Sequence, residues 1–277
     1  MIAGRFAPSP TGPLHFGSLV AAVGSFLFAR AAGGRWLVRI EDLDTPRVVR
    51  GSEQEILAAL QRYGLEWDGD VVRQSERIAL YDDALAKLRA KGLAFECGCS
   101  RSDPECRCRH GLRRAARAVR FRGGAEVIGF DDPIAGHYEG TADDFVIKRA
   151  DGPYAYQLAV VVDDAAQGVT QVVRGADLLE STPRQIALQR ALDLPKPVYA
   201  HLPLVLGPDG RKIGKRDGAL PLPALDASRI RDTLGAALRF LGFEVDPGTP
   251  AEMLAAGIRL TRERRYATIE APTDQQN

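Results

Sequence analysis

Within its first 32 residues the chain passes from an apolar run, through a proline-stiffened loop, into a helix of small residues. Residues 2–6 read as a short buried strand. Pro8, Pro10, Gly12 and Pro13 form the loop, and residues 17–32 suit a closely packed helix that Gly33-Gly34 stops. Residues 36–40 alternate into a second strand ending at Glu41-Asp42. Residues 52–63 and 75–91 read as helices, each with a serine N-cap. Strand, helix, strand, helix is the order of a parallel sheet with crossover helices. Ligands of such sheets sit at the carboxyl ends of the strands. Residues 8–18 and 41–44 therefore share one rim.

The chain has 277 residues, enough for one large domain and a smaller one. Its composition, 45% hydrophobic and 26% charged, is that of a soluble globular protein. No apolar run approaches the roughly 20 residues of a membrane helix, and no basic segment followed by an apolar one opens the chain. The expectation is a cytoplasmic monomer with no membrane contact and no secretory signal. The net charge of +1 does not bear on nucleic acid. Residues 101–122 do: Arg101, Arg107, Arg109, Arg113, Arg114, Arg117, Arg120 and Arg122 face only Asp103 and Glu105. Such a run can track phosphates, or it can be a solvated face.

Beyond residue 93 the pattern changes. Cys-, Arg- and Gly-rich segments run to about residue 140. Sheet-like text follows at 145–149, 156–162 and 169–174, then a helix to Leu192 capped by Ser181-Thr182-Pro183 with proline in its first turn. Residues 202–206 read as a strand leading into Arg211-Lys212-Ile213-Gly214-Lys215-Arg216. The expected organisation is a nucleotide-binding core in two halves, 1–92 and 141–225. A Cys/Arg-rich subdomain, 93–140, interrupts it, and a short helical region, 226–277, ends in a polar tail.

Two segments carry the chemistry. His15-Phe16-Gly17 opens a helix, where backbone amides and the helix dipole favour phosphate, and Gly12 and Gly17 admit close approach to the main chain. Neither the dinucleotide fingerprint nor the phosphate loop of other nucleotide-binding folds is present. Lys212 and Lys215 form a cationic loop far downstream. Together these segments suit the two ends of a nucleoside triphosphate. All four cysteines fall in Cys97-x-Cys99-x₆-Cys106-x-Cys108. In a cytosolic chain such clustering favours a metal over disulfides, and four thiolates suit tetrahedral zinc, with His110 as an alternative ligand. Asp163-Asp164 reads as the end of a buried strand capping a turn, outside the catalytic set. Tyr63 and Trp67 read as core.

The run from Arg5 to Gly17, Arg-Phe-Ala-Pro-Ser-Pro-Thr-Gly-x-Leu-His-x-Gly, resembles the first signature of the glutamyl group of class I aminoacyl-tRNA synthetases. Lys212 to Arg216 resembles the second. The runs 39–47, 156–164 and 168–179 agree with the same family, so the resemblance spans residues 4–216 in order. It implies an α/β Rossmann-like class I catalytic core with an inserted acceptor-type zinc subdomain. It also implies activation of L-glutamate by ATP with Mg²⁺. By the same resemblance, glutamate is bound by Arg5, Phe6, Ala7, Pro8, Ser9, Glu41, Tyr156 and Arg174. Arg5 takes the side-chain carboxylate and Glu41 the ammonium. Pro8, His15, Gly17, Ser18 and Lys215 bind ATP, and Lys215, Lys212 and His15 are catalytic.

Three features resemble a short branch of this family that glutamylates queuosine at the wobble position of tRNA(Asp). They are the short distance from the lysine loop to the last residue, Leu43 within Glu-Asp-Leu-Asp-x-Pro-Arg, and Cys97-x-Cys99 where that branch begins a zinc site. Cys106 and Cys108 complete the zinc set in place of the branch's own third ligand, a tyrosine. Two positions depart from the wider family: Ser18 replaces a second histidine, and Gly214 replaces a serine of the lysine loop. The rival readings are a truncated glutamyl-tRNA synthetase charging tRNA(Glu) at its 3′ end, and an inactive tRNA-binding protein on the same core. Queuosine dependence separates the first, and ATP–pyrophosphate exchange the second.

Overall fold

The computed structural model describes residues 1–100, 103, 106–112, 114–207, 222 and 226–264. The strand–loop–helix start forms as the sequence predicts: β1 (Ala3–Phe6), α1 (Phe16–Ala31) and β2 (Arg35–Ile40), followed by α2 (Ser52–Arg62), β3 (Val72–Arg73) and α3 (Ile78–Ala90). Next come β4 (Ala94–Cys97), β5 (Ala118–Phe121), β6 (Gly124–Asp132), β7 (Gly136–Ala142) and β8 (Phe145–Lys148). The core then resumes with α4 (Tyr156–Ala166), β9 (Gln171–Gly175), α5 (Thr182–Leu192) and β10 (Val198–Leu202), and α6 (Ala227–Phe240) and α7 (Pro250–Glu263) follow.

The core is a five-stranded parallel sheet in the order β10-β9-β1-β2-β3. Strand alternation sorts its side chains between two faces. Phe6, Trp36, Val38 and Ile40 enter one apolar cluster with α1, α2, α6 and α7, and Phe6 stacks on Trp36. Arg5 and Arg39 occupy the opposite face, where they meet α4. The intervening strands are antiparallel: β4-β5-β8 form one small sheet and β6-β7 a hairpin. The antiparallel layer therefore extends past residue 140 to Lys148. Among the described residues, no helix is long and apolar enough to cross a membrane.

Four local expectations are corrected. Residues 156–162 are helical, not a strand, and α4 buries Leu158 through Asp164. A short apolar run carries no period that separates a buried helix from a buried strand. Gly168, at φ +65°, ends this helix in a conformation that favours glycine. The strand before the lysine loop lies at Val198–Leu202, ahead of Pro203, rather than at 202–206. Ser52 is the first residue of α2, not its cap. Its hydroxyl accepts from the Gly12 amide at 3.0 Å and donates to the Gly12 carbonyl at 2.7 Å. Ser75 lies in a 3-10 turn (Gln74–Arg77) before α3 and binds the Asp42 carboxylate through its amide and hydroxyl at 2.8 and 2.6 Å. Both serines tie a rim loop to a helix instead of capping one. Tyr63 is buried and Trp67 packs against the first cluster, as the sequence predicts. The lysine loop and residues 265–277 lie outside the described residues.

Candidate active site

A cavity of about 600 Å³ opens at the carboxyl ends of β1, β2, β9 and β10. Most of the wall comes from strand ends and the segments after them. Phe6 ends β1 and Ala7, Pro8 and Ser9 follow it, Glu41 follows β2, Gly175 ends β9 and Asp177 follows, and Leu202 ends β10 and Pro203 follows. His15, Gly17 and Ser18 bring the start of α1 to the same space, and Tyr156 brings the start of α4. The fold thus assembles most of the predicted site residues around one cavity.

Arg5 and Arg174 lie beneath that surface instead of lining it. Arg5 Nε donates to Asp164 Oδ1 at 3.2 Å and Nη2 to Oδ2 at 3.5 Å. Arg174 Nη1 reaches the Tyr156 hydroxyl at 3.5 Å, and Nη2 donates to Thr182 Oγ1 at 2.8 Å. Its Nε donates to His201 Nε2 at 3.1 Å, and His201 Nδ1 lies 2.6 Å from Asp132 Oδ2. Lys212 and Lys215 are outside the described residues.

The floor is an ion-pair network that the sequence did not disclose. Arg39 is fully buried, 2.8 Å from Asp164 Oδ1, 3.4 Å from Glu41 Oε1 and 3.8 Å from Asp163 Oδ2. Asp163 also accepts from Arg77 Nε at 2.6 Å, and from Gln74 Nε2 and the Tyr81 hydroxyl at 2.8 Å each. The two aspartates therefore do not cap a turn; they neutralise buried arginines below the cavity. Burial pushes the Glu41 carboxyl above the usual carboxylate range, against the pull of Arg39 and Arg5. Burial also disfavours the Asp164 charge, yet Arg5 and Arg39 outweigh it and hold that carboxyl below its ordinary range. Burial and the guanidinium charges oppose each other at both carboxyls; burial wins at Glu41 and the arginines win at Asp164.

His15 is the N-cap of α1: its Nδ1 accepts the Ser18 amide at 3.3 Å. A Cβ on Gly17 would stand 3.2 Å from the His15 ring, so glycine makes room for the imidazole.

The cysteines converge away from this cavity. Their four Sγ atoms lie within 4.8 Å of one another, with Cys97–Cys106 at 3.6 Å and Cys99–Cys108 at 3.5 Å. Zn–S bonds of about 2.3 Å in a tetrahedron place sulfurs roughly 3.8 Å apart, so this donor set fits zinc. His110 is exposed and is not one of the four. Part of the arginine run braces this knob. Arg109 donates to the Gly123 carbonyl and pairs with Asp144, Arg120 donates to the Asp144 carbonyl, and Arg122 lies over Phe95. Arg107, Arg114 and Arg117 are exposed.

The model of the tRNA synthetases class I (E and Q) catalytic domain matches residues 1–113 and 109–246. The chain belongs to this synthetase family. The synthetase is 54% identical over 287 residues to the glutamyl-Q tRNA(Asp) synthetase of Geobacter sulfurreducens, covering 94% of this chain and 90% of that protein. It is 52% identical over 274 residues to that of Pseudomonas syringae pv. tomato, covering 92% and 91%. It therefore belongs to the glutamyl-Q tRNA(Asp) synthetase group. A solved glutamate tRNA ligase from Elizabethkingia meningosepticum, in complex with its amino acid, superposes with a TM-score of 0.71 at 30% identity. The match covers 82% of this chain and 55% of that one, so the synthetase spans about half that ligase's length. As a member of this class I family it is an ATP-dependent ligase.

Proposed function

We propose that this synthetase activates L-glutamate and passes it to queuosine in tRNA(Asp). The observation that carries the reading is the junction, in one cavity, of a carboxyl just after β2 (Glu41), a hydroxyl on α4 (Tyr156) and a helix start (His15–Ser18). That junction suits an amino acid lying beside a nucleotide, and identity above one half to glutamyl-Q tRNA(Asp) synthetases supports glutamate as the amino acid and queuosine in tRNA(Asp) as the acceptor.

The α-carboxylate of glutamate attacks the α-phosphorus of ATP, pyrophosphate leaves, and glutamyl-adenylate forms. A hydroxyl of the queuosine cyclopentenediol then attacks the acyl carbon, losing its proton, and AMP leaves. Glu41 is assigned the substrate ammonium. That contact restores the charge which burial disfavours. Arg174 and Tyr156 receive one carboxylate, and the Arg5 donors not engaged by Asp164 receive the other. Phe6, Ala7 and Ser9 shape the pocket. Pro8, His15, Gly17 and Ser18 hold ATP at the helix start, and Lys212 and Lys215 offset charge as pyrophosphate departs. Mg²⁺ bound with ATP would supply charge neutralisation to the phosphates. Cys97, Cys99, Cys106 and Cys108 are assigned one structural zinc.

Transfer of labelled glutamate to two preparations of tRNA(Asp), one carrying queuosine and one guanosine at the wobble position, tests the reading. Label on the queuosine form alone is the expected result. Label on tRNA(Glu) instead overturns the acceptor, and no label on any of the three overturns the activity.

A further inference from the structure

The parallel register of β9 and β10 sets His201 directly opposite Arg174. Both side chains are buried, as are Thr182 and Asp132, each at or below 5% exposure. Arg174 Nε carries a hydrogen and can only donate. At 3.1 Å His201 Nε2 must therefore be the acceptor, without a proton. The ring proton then sits on Nδ1 and is donated to Asp132 Oδ2 at 2.6 Å.

Asp132 is fixed in turn by the hairpin. Its Oδ1 accepts the amides of Ile134 and Ala135, each at 2.8 Å, which leaves Oδ2 for the imidazole. A chain of hydrogen bonds thus runs from the β6–β7 turn through His201 to Arg174, and on to the Tyr156 hydroxyl on the cavity wall. The charges agree with this order. Asp132 and Arg174 are opposite in sign and separated by a neutral ring. Burial and the positive charge of Arg174 keep His201 below its ordinary range, despite the pull of Asp132.

We propose that His201, locked in its Nδ1–H tautomer by Asp132, is a positioning residue that aims Arg174 at a carboxylate of the amino-acid substrate. This rests on the assignment of Arg174 to glutamate above. It makes the hairpin, which does not line the cavity, part of amino-acid recognition. The Tyr199 ring, 5.1 Å from the Arg174 guanidinium, closes the other side of that side chain. The Tyr199 face and the Thr182 hydroxyl, which accepts from Nη2 at 2.8 Å, hold the guanidinium from two sides, and the His201 lone pair fixes its Nε edge.

Asp132→Asn tests this with almost no change in volume. The Asn oxygen keeps the two backbone amides and its NH₂ group then faces His201 Nδ1. The ring proton is forced to Nε2, where it meets the Arg174 Nε–H donor to donor. The expected result in ATP–pyrophosphate exchange is a KM for glutamate raised about tenfold or more, with the KM for ATP within about twofold. His201→Gln returns an acceptor near the Nε2 position and is expected to stay within a few-fold of wild type, whereas His201→Leu is expected to match Asp132→Asn. This pair decides the matter if Asp132→Asn does not fold. ¹⁵N imidazole NMR, with His201 assigned by its loss in His201→Gln, is expected to show Nδ1–H in the wild type and Nε2–H in Asp132→Asn.

An Nε2–H wild type, an unchanged glutamate KM in both Asp132→Asn and His201→Leu, or equal rises in both KM values overturns the proposal. Arg174→Lys, run in parallel, separates the two levels. If it raises the glutamate KM while Asp132→Asn does not, only the positioning role fails. If it leaves that KM unchanged, the site assignment fails and the positioning role with it.

Discussion

Arg5 and Asp164 meet at 3.2 Å across 159 residues of sequence, with side chains only 4% and 5% exposed. The same carboxylate lies 2.8 Å from Arg39. One aspartate of α4 therefore holds two buried guanidinium groups, one from each of the paired strands β1 and β2, directly below the cavity. The apolar run of α4 supplies the packing that places it there. Removing water from this floor is costly unless every charge is matched, and Asp164 is what matches two of them.

Asp164→Asn keeps the volume and removes the charge. Breaking a buried pair from one side costs about 3–5 kcal/mol, and a loss in that range is expected from urea unfolding at an unchanged slope. The Asp164 carboxyl is held below the ordinary range when folded, so its stabilising effect is present above the unfolded value of about 3.9. It is lost as pH falls through the folded value, and the gap between variant and wild type should close there. Equal midpoints at pH 7 would show that Arg5 and Arg39 are matched by other groups.

Glu41 has the opposite sign. Its folded value is raised, so its charge opposes folding of the free enzyme as pH rises from the unfolded value, about 4.3, through the folded one. Glu41→Gln is expected to melt at or above the wild-type temperature at pH 8, with the difference vanishing as pH falls below the unfolded value of about 4.3. The same variant should raise the glutamate KM by about tenfold or more, because a charged hydrogen bond to the ammonium is lost. A destabilised variant at pH 8 would mean that the Arg39 contact outweighs burial.

The rim of this site was legible because its signals are local. Prolines and glycines mark the loop after β1, and alternation marks β2. The floor was not legible. Residues 156–162 carry no period that distinguishes helix from strand, so the direction of Asp163 and Asp164 could not follow from the text. His201 and Asp132 are separated by 69 residues, and the β9–β10 register places Arg174 beside His201. No spacing in the sequence encodes either relationship. The serine hydroxyls of Ser52 and Ser75 suit helix caps, yet tertiary partners outbid the local amides.

Zinc should bind at one per chain through the four thiols, since their sulfurs already lie at tetrahedral spacing. Cys99→Ser, or exposure to a strong chelator, should release the metal and loosen the small sheet beside it, read as faster amide exchange in β4 and β5. Among the described residues the cavity takes no wall from that knob, so ATP–pyrophosphate exchange should change less than about twofold, while transfer to tRNA should fall further. Equal losses in both reactions would place the knob's support within the activation step.

Gly17 offers the sharpest test of the helix start. The His15 ring folds back to accept the Ser18 amide, and a Cβ on Gly17 would lie 3.2 Å from Cε1 and 3.3 Å from Nδ1 of that ring. The Gly17 backbone does not need positive φ, so Gly17→Ala acts through crowding alone. Alanine favours helix over glycine by up to about 1 kcal/mol, which offsets the strain of moving the ring by a few tenths of an ångström. The melting temperature should therefore stay near wild type while the KM for ATP rises several-fold and that for glutamate does not. His15→Asn separates cap from ring, because asparagine caps a helix start well. It should preserve stability and still weaken ATP use. If both variants leave the KM for ATP unchanged, the imidazole serves only to cap α1, and ATP is held by other groups of the rim.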